Sequence, residues 1–157
     1  DLVYANAESW SWWRAAGSDY RDGLLRIYSN DGWKSGWAVD SKLLWAIGNY
    51  SRFIRPGARR YDIAAYAADG KRVEDGSTNP TGVMISAFRN TDGKWVIVAI
   101  NYGEETRQVA IGLDNQEEKT WQLYRTSDVS AESLAPVGVC HETTQLAPRS
   151  ITTFVQI

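Results

Sequence analysis

The stretch that decides the fold is residues 43–57, LLWAIGNYSRFIRPG. Leu43, Leu44, Ile47, Tyr50 and Ile54 recur at helical spacing, with Trp45 at the flank of that stripe. Asp40-Ser41 stands just before it, and a short polar side chain there can accept the orphan amides of a first helical turn. Arg55-Pro56-Gly57 ends it, because a proline disfavours helical backbone in the residue before it and a glycine frees the backbone after it. One helix is therefore expected here, and a boundary at Pro56-Gly57.

Past Gly57 the period drops from 3.6 to 2. Tyr61, Ile63 and Ala65 alternate with polar or small residues, as do Val83, Ile85 and Ala87 with Met84, Ser86 and Phe88. Residues 95–101, 107–113, 120–125 and 150–157 continue a set of about six or seven short strands. Asn90-Thr91-Asp92-Gly93 is a hairpin turn in which Asp-Gly supplies positive φ, and 101–105 and 114–119 are further turns. Short strands punctuated by turns, with no helix between them, indicate a β-sandwich and disfavour a parallel βαβ layout.

Before the helix the chain is different in kind. Of eight tryptophans, six fall at positions 10, 12, 13, 33, 37 and 45. Residues 9–14, SWSWWR, read as a short buried strand. Residues 15–40 carry Gly17, Gly23, Gly32 and Gly36 and read as a long loop with one short strand at 24–28. The first few residues are too short to assign.

Bulk properties exclude several functions. Seventeen basic residues against nineteen acidic ones make no case for nucleic acid or an anionic membrane. No apolar run reaches the roughly 20 residues that span a bilayer. No signal peptide is visible at Asp1, as in a trimmed or excised product. Cys140 is alone and cannot form an intrachain disulfide, and with His141, the one histidine, it supplies too few ligands for zinc. No cluster implies a metal or a cofactor.

The same residues that define the helix closely resemble the last barrel helix of glycoside hydrolase family 30. Residues 148–154, PRSITTF, resemble that family's final sandwich strand, and Trp10-Ser11-Trp12-Trp13 with Asp19-Tyr20-Arg21-Asp22-Gly23-Leu24 is most similar to its endo-β-1,6-galactanase branch. The resemblance implies a mainly β chain: residues 1–56 as the end of a (β/α)8 barrel (last strand, long loop, last helix), and residues 57–157 as the attached sandwich. It implies a secreted, periplasmic or cell-surface enzyme that retains anomeric configuration, using two glutamates about 5 Å apart on the fourth and seventh barrel strands. On that correspondence the chain starts after both, so no catalytic residue is expected in it and the segment alone should be inactive. Its expected partners are a polysaccharide or oligosaccharide substrate and the missing N-terminal barrel portion.

A sugar presents an apolar face of C–H groups that a flat ring can cover. The family's eighth barrel strand ends in a tryptophan that floors the subsite of the cleaved sugar, and Trp13 matches it best. Trp13 is therefore expected to touch substrate, against the plainer reading that it packs the barrel mouth. Trp12 would face the helix layer and Trp10 the core. Arg14, Tyr20, Trp33 and Trp37 are further candidates on the loop rim, where packing within the loop competes. Asp19 and Asp22 lie on that rim too, but read as turn formers before a catalytic pair. Glu8 lies at the wrong end of the strand, and the doublets Glu104-Glu105 and Glu117-Glu118 read as solvated tips. Trp45, Trp95 and Trp121 read as core. The arginines at 52, 55, 59 and 60 read as an ion-paired seam. Asn49-Tyr50-Ser51 is formally a glycosylation acceptor, but inside a helix. The alternative to an enzyme segment is a free-standing carbohydrate-binding or structural sandwich, which as a binder would need an exposed aromatic platform on residues 57–157.

Overall fold

A computed structural model describes residues 5–18, 22–66, 70–73, 82–113 and 118–157. The expected helix is present as α1, Lys42–Ser51. Ser41 caps it, its Oγ accepting from the Leu44 amide at 3.4 Å. The helix gives way at Arg52, the chain turns through 52–57, and Gly57 takes φ +88°. A side chain at Gly57 would meet the Thr91 methyl at 2.8 Å, so glycine is required by space as well as by backbone.

Thirteen strands are assigned among the described residues: β1 Ala16–Gly17, β2 Leu25–Tyr28, β3 Trp37–Asp40, β4 Arg59–Tyr61, β5 Ala65–Tyr66, β6 Arg72–Val73, β7 Val83–Arg89, β8 Trp95–Asn101, β9 Arg107–Ala110, β10 Trp121–Thr126, β11 Ala135–Cys140, β12 Thr143–Leu146 and β13 Ser150–Gln156. Six of them form one sheet in the order β11-β10-β13-β8-β7-β4, antiparallel throughout. The β9–β12 ribbon lies over one face of this sheet and α1 over the other. The chain is thus mainly β, with a sandwich-like arrangement.

Strand alternation explains both faces. Ala87, Ile97, Ala99, Leu123, Trp121 and Phe154 turn inward and form the core with Leu146 from the ribbon; Val109 and Ile111 close over it. Trp121 and Phe154 meet edge to face with ring centroids 6.5 Å apart. Asn101, 1 % exposed, ties sheet to ribbon: its Nδ2 lies 2.8–3.2 Å from the carbonyls of Glu105, Leu146 and Ala147.

On the opposite face, Asn49 is the bolt between helix and sheet. It is completely buried. Its Nδ2 donates to the Thr126 hydroxyl at 2.7 Å and to the Trp45 carbonyl at 2.9 Å, and its Oδ1 lies 2.9 Å from the Thr153 hydroxyl. A side chain so enclosed cannot carry a glycan, which disposes of the formal acceptor motif. Phe53 extends the seam against Tyr124, centroids 4.6 Å apart, with Arg52 over both rings. Asn90 closes it from the β7–β8 turn, accepting from the Arg55 amide at 3.0 Å and donating to the Phe53 carbonyl at 2.9 Å. That turn is built as expected, with Gly93 at φ +85°.

Five strands escaped the sequence reading, among them the two-residue β6 that pairs with β5. β11 contains Pro136 and Gly138, which spoil the strand signature but are tolerated at a sheet edge. β12, TTQL, has little apolar alternation. β1 and β3 lie in the segment read as loop, where they flank β2 in a small three-stranded sheet. No helix is long and apolar enough to cross a membrane among the described residues.

Candidate functional site

The expected strand at residues 9–14 is not formed. The segment is irregular and pairs with no strand among the described residues. A strand keeps its shape through ladder bonds to neighbours, and none is offered here. Its rings are correspondingly exposed: Trp10 49 %, Trp12 36 % and Trp13 78 %. Trp10 is therefore not core. The Trp12 ring stands 5.5 Å from Trp10, and its Nε1 donates to the Asp22 carbonyl at 2.8 Å, holding the following loop. Trp13 is left as the most exposed large hydrophobic residue described.

Arg14 sits at φ +67° and folds back over Gly17, its Cδ 3.0 Å from where a side chain there would begin. The turn that follows brings β1 alongside β2, reinforced by the Leu25 amide on the Ala15 carbonyl at 2.8 Å. Tyr20 and Asp19 lie outside the described residues.

The tryptophan-bearing connection between β2 and β3 is tightly built. Asp31 accepts from the amides of Lys34 and Ser35 at 3.0 Å each and from the hydroxyls of Ser29 and Ser35. These bonds, led by the Ser35 hydroxyl, hold its carboxyl down at about 2. Ser29 Oγ in turn accepts from the Trp33 amide at 3.0 Å. Gly32 and Trp33 take φ +73° and +69°, and Trp33 is 62 % exposed. Gly36 passes so close to the Tyr28 carbonyl that any side chain would collide with it, at 2.5 Å. Across the hairpin Tyr28 pairs with Trp37, and their rings stack at 5.6 Å with planes 18° apart. The hairpin base is pinned to α1 by Ser41, whose amide and hydroxyl both donate to the Leu24 carbonyl at 3.0 Å. Trp45 donates through Nε1 to Asp40, also at that base.

The Tyr28–Trp37 stack is the feature the sequence reading missed. Asn30-Asp31-Gly32 followed by the alternation at 37–40 was the available signal.

The remaining candidates are ordinary. Cys140 is buried, which raises its thiol pKa, and His141 Nδ1 lies 3.3 Å from the Thr120 hydroxyl. Arg60 pairs with Asp62 at 3.0 Å and bonds Asn6, and Glu105 stands 3.8 Å from Arg107. Trp121 is core and Trp95 packs edge-on against Tyr61 at 4.7 Å, so neither offers the sandwich an aromatic platform. Among the described residues no group of histidine, cysteine and carboxylate side chains could hold a metal ion. What the front segment offers chemically is a set of exposed flat rings on a rigid mount. Its best-ordered acid, Asp31, is fully used as a turn anchor and too acidic to serve as a proton donor near neutrality.

Comparison with known proteins bears on this arrangement. Residues 69–154 match the model of the glycosyl hydrolase family 30 beta sandwich domain. A conserved exported protein from Bacteroides fragilis superposes with a TM-score of 0.78 at 29 % identity, over 99 % of this chain and 31 % of its own. A GH30 endoxylanase from Clostridium papyrosolvens C71 superposes with a TM-score of 0.59 at 28 % identity, over 74 % of this chain and 28 % of its own. The catalytic domain of GH30 xylanase C from Talaromyces cellulolyticus gives 0.59 at 25 %, over 86 % and 27 %. The chain thus spans about a third or less of the solved structures it resembles.

Proposed function

Because the chain belongs to glycosyl hydrolase family 30 through its β-sandwich domain, we propose that it is the C-terminal portion of a retaining glycoside hydrolase acting on β-linked polysaccharide. The observation that carries this reading is the exposed tryptophan segment at residues 9–14, which forms no strand and is joined through a pinned hairpin and α1 to the family's sandwich. Three large rings in irregular chain form a patch that water does not favour and a covering partner would. That partner is the rest of a (β/α)8 barrel, which would pair with 9–14, turn it into the last barrel strand and carry the two catalytic glutamates. In this arrangement Trp13 walls the sugar subsite, with Arg14 and Tyr20 as further contacts there and Trp33 as a contact elsewhere on the substrate, and the sandwich braces the barrel. This segment by itself is inactive.

For substrate we propose β-1,6-galactan or a related β-glycan, on the likeness of Trp10-Ser11-Trp12-Trp13 and residues 19–24 to the galactanase branch. Xylan is the competitor, since two of the similar structures are described as xylanases. An exported or secreted enzyme fits the description of the Bacteroides fragilis protein.

The test is hydrolysis by the complete protein that carries this chain. Galactan, xylan and β-1,6-glucan would be offered, products followed by reducing ends and anomers by proton NMR. Release of β-configured product first, and a loss of at least roughly tenfold in kcat/KM for Trp13→Ala, are expected, since one well-placed contact commonly carries that much. Inverted product, or a Trp13→Ala enzyme with unaltered kcat and KM, would defeat the reading. The buried Trp121 and edge-packed Trp95 speak against a free-standing binding module.

A further inference from the structure

The β2–β3 hairpin does more than connect a strand to a helix. Cross-strand pairing puts Arg26, Tyr28, Trp37 and Val39 on one face. That face is exposed: Tyr28 39 %, Trp37 53 %, Val39 44 %. Two of its members are already stacked nearly parallel, so Trp37 is backed on one side and open on the other. The tip adds Trp33, held outward by a left-handed backbone that a non-glycine residue adopts only when its surroundings enforce it. Asp31 and Ser29 do the enforcing, through bonds to the amides at 33, 34 and 35. Solvent-facing rings gain nothing from such rigidity by themselves. Rigid rings do gain when they must meet a ligand, because their ordering is complete before binding.

We propose that this hairpin is a stacking arm for a glycan chain, with Trp37 and Trp33 covering the C–H faces of sugar residues beyond the cleaved one and Tyr28 backing Trp37. The inference rests on the reading of the chain as part of a polysaccharide hydrolase. Continuity favours a polymer as occupant: β1 follows three residues after Trp13 and pairs with β2, so the arm springs directly from the segment assigned to the cleaved sugar. A sugar needs both flat apolar cover and hydrogen-bonding neighbours, and Arg26 supplies the latter on the same face. The arm therefore makes the enzyme sensitive to chain length.

The experiment compares, in the complete protein, kcat/KM on long polysaccharide with kcat/KM on the shortest oligosaccharide cleaved. Trp37→Ala and Trp33→Ala should each lower the ratio roughly three- to tenfold, the worth of one aromatic contact, through KM on the polymer. Trp13→Ala should lower both rates and leave the ratio unchanged. An unchanged ratio in the arm variants would overturn the proposal. Native gel electrophoresis through galactan, xylan and β-1,6-glucan gives a readout free of catalysis. Retardation by at least one polysaccharide, lost in the Trp33→Ala/Trp37→Ala double variant while its thermal midpoint falls no further than that of Tyr28→Ala, which loses the same stack, is the expected result. Absence of retardation in all three gels, or a fall in thermal midpoint well beyond that of Tyr28→Ala, showing that the rings pack against more protein than each other, would overturn it. Failure of hydrolysis together with Trp37-dependent retardation would instead remove the enzyme reading and leave the arm.

Discussion

Asn49→Ala should loosen the helix from the sandwich, and the structure sets the size of the effect. The side chain is fully buried and makes three hydrogen bonds, to Thr126, Thr153 and the Trp45 carbonyl. Truncation orphans none of these partners. Thr126 Oγ1 still accepts from the Leu134 amide at 3.0 Å, and the Thr153 hydroxyl still reaches the carbonyl of residue 49 at 2.8 Å. The cost is therefore the net value of three bonds at about 1 kcal/mol each, not the larger penalty of an unpaired buried group. About 3 kcal/mol is expected, with a small cavity adding to it. At this chain length that corresponds to a fall of roughly 6–12 °C in thermal midpoint. Urea unfolding followed by tryptophan fluorescence would read it, and a double-mutant cycle with Thr153→Val should return a coupling of about 1 kcal/mol. A cost for Asn49→Ala below about 0.5 kcal/mol would refute the reasoning, because three bonds cannot all be net neutral if Asn49 bolts the layers together.

Other expectations follow from single sites. Asn49→Asp should be destabilising in a pH-dependent way: burial raises the carboxyl's pKa above the unfolded value near 4, so the penalty is small below that pH and grows toward neutrality; a pH-independent urea midpoint difference would contradict it. Asp31 is depressed to about 2, so what it contributes is present above about 3.8 and lost as pH falls through 2; the Lys34 and Ser35 amide resonances should titrate near 2, and a midpoint near 3.8 would count against the turn geometry. Gly57→Ala should cost about 1–2 kcal/mol from left-handed backbone alone, and Thr91→Ser in the same chain, which removes the 2.8 Å methyl contact, should recover only part of the loss in thermal midpoint. The buried Cys140, its thiol pKa raised by burial, should react with a disulfide reagent only as fast as the fold opens, so a burst of labelling in native buffer would be inconsistent with its place in the core.

The helix and its stop were legible because their signals are local. A cap at Ser41, a stripe of period 3.6 and Pro56-Gly57 act within a few residues of where they are read. β7 and β8 were legible because strands buried on both faces need apolar side chains almost throughout, and β10 and β13 because aromatic and β-branched residues are concentrated in them. β11 and β12 were not. They lie at an edge and in a two-stranded ribbon, where only one face is buried and proline, glycine and threonine are acceptable.

For the candidate site the division is sharper. Sequence put rings at 10, 12, 13, 33 and 37, and the resemblance attached one of them, Trp13, to a sugar. It treated 9–14 as a buried strand, because bulky apolar residues carry that signature wherever their neighbours come from. Whether such a strand forms depends on hydrogen-bond partners elsewhere, and in this chain the segment stays irregular and its tryptophans face water.

By itself, then, the amino-acid order determined the helix, its stop, the two-period pattern of the sandwich and the uneven supply of aromatic rings, because each depends on spacing along the chain. Only the tertiary structure decided which rings are core and which are surface, that Asn49 is a bolt and not a glycan acceptor, and that Tyr28 and Trp37 stack beside a tip held by Asp31. Apart from the local bonds of Asp31, those outcomes depend on groups 9 to 104 positions apart in sequence meeting in space, and spacing along the chain carries no record of such meetings.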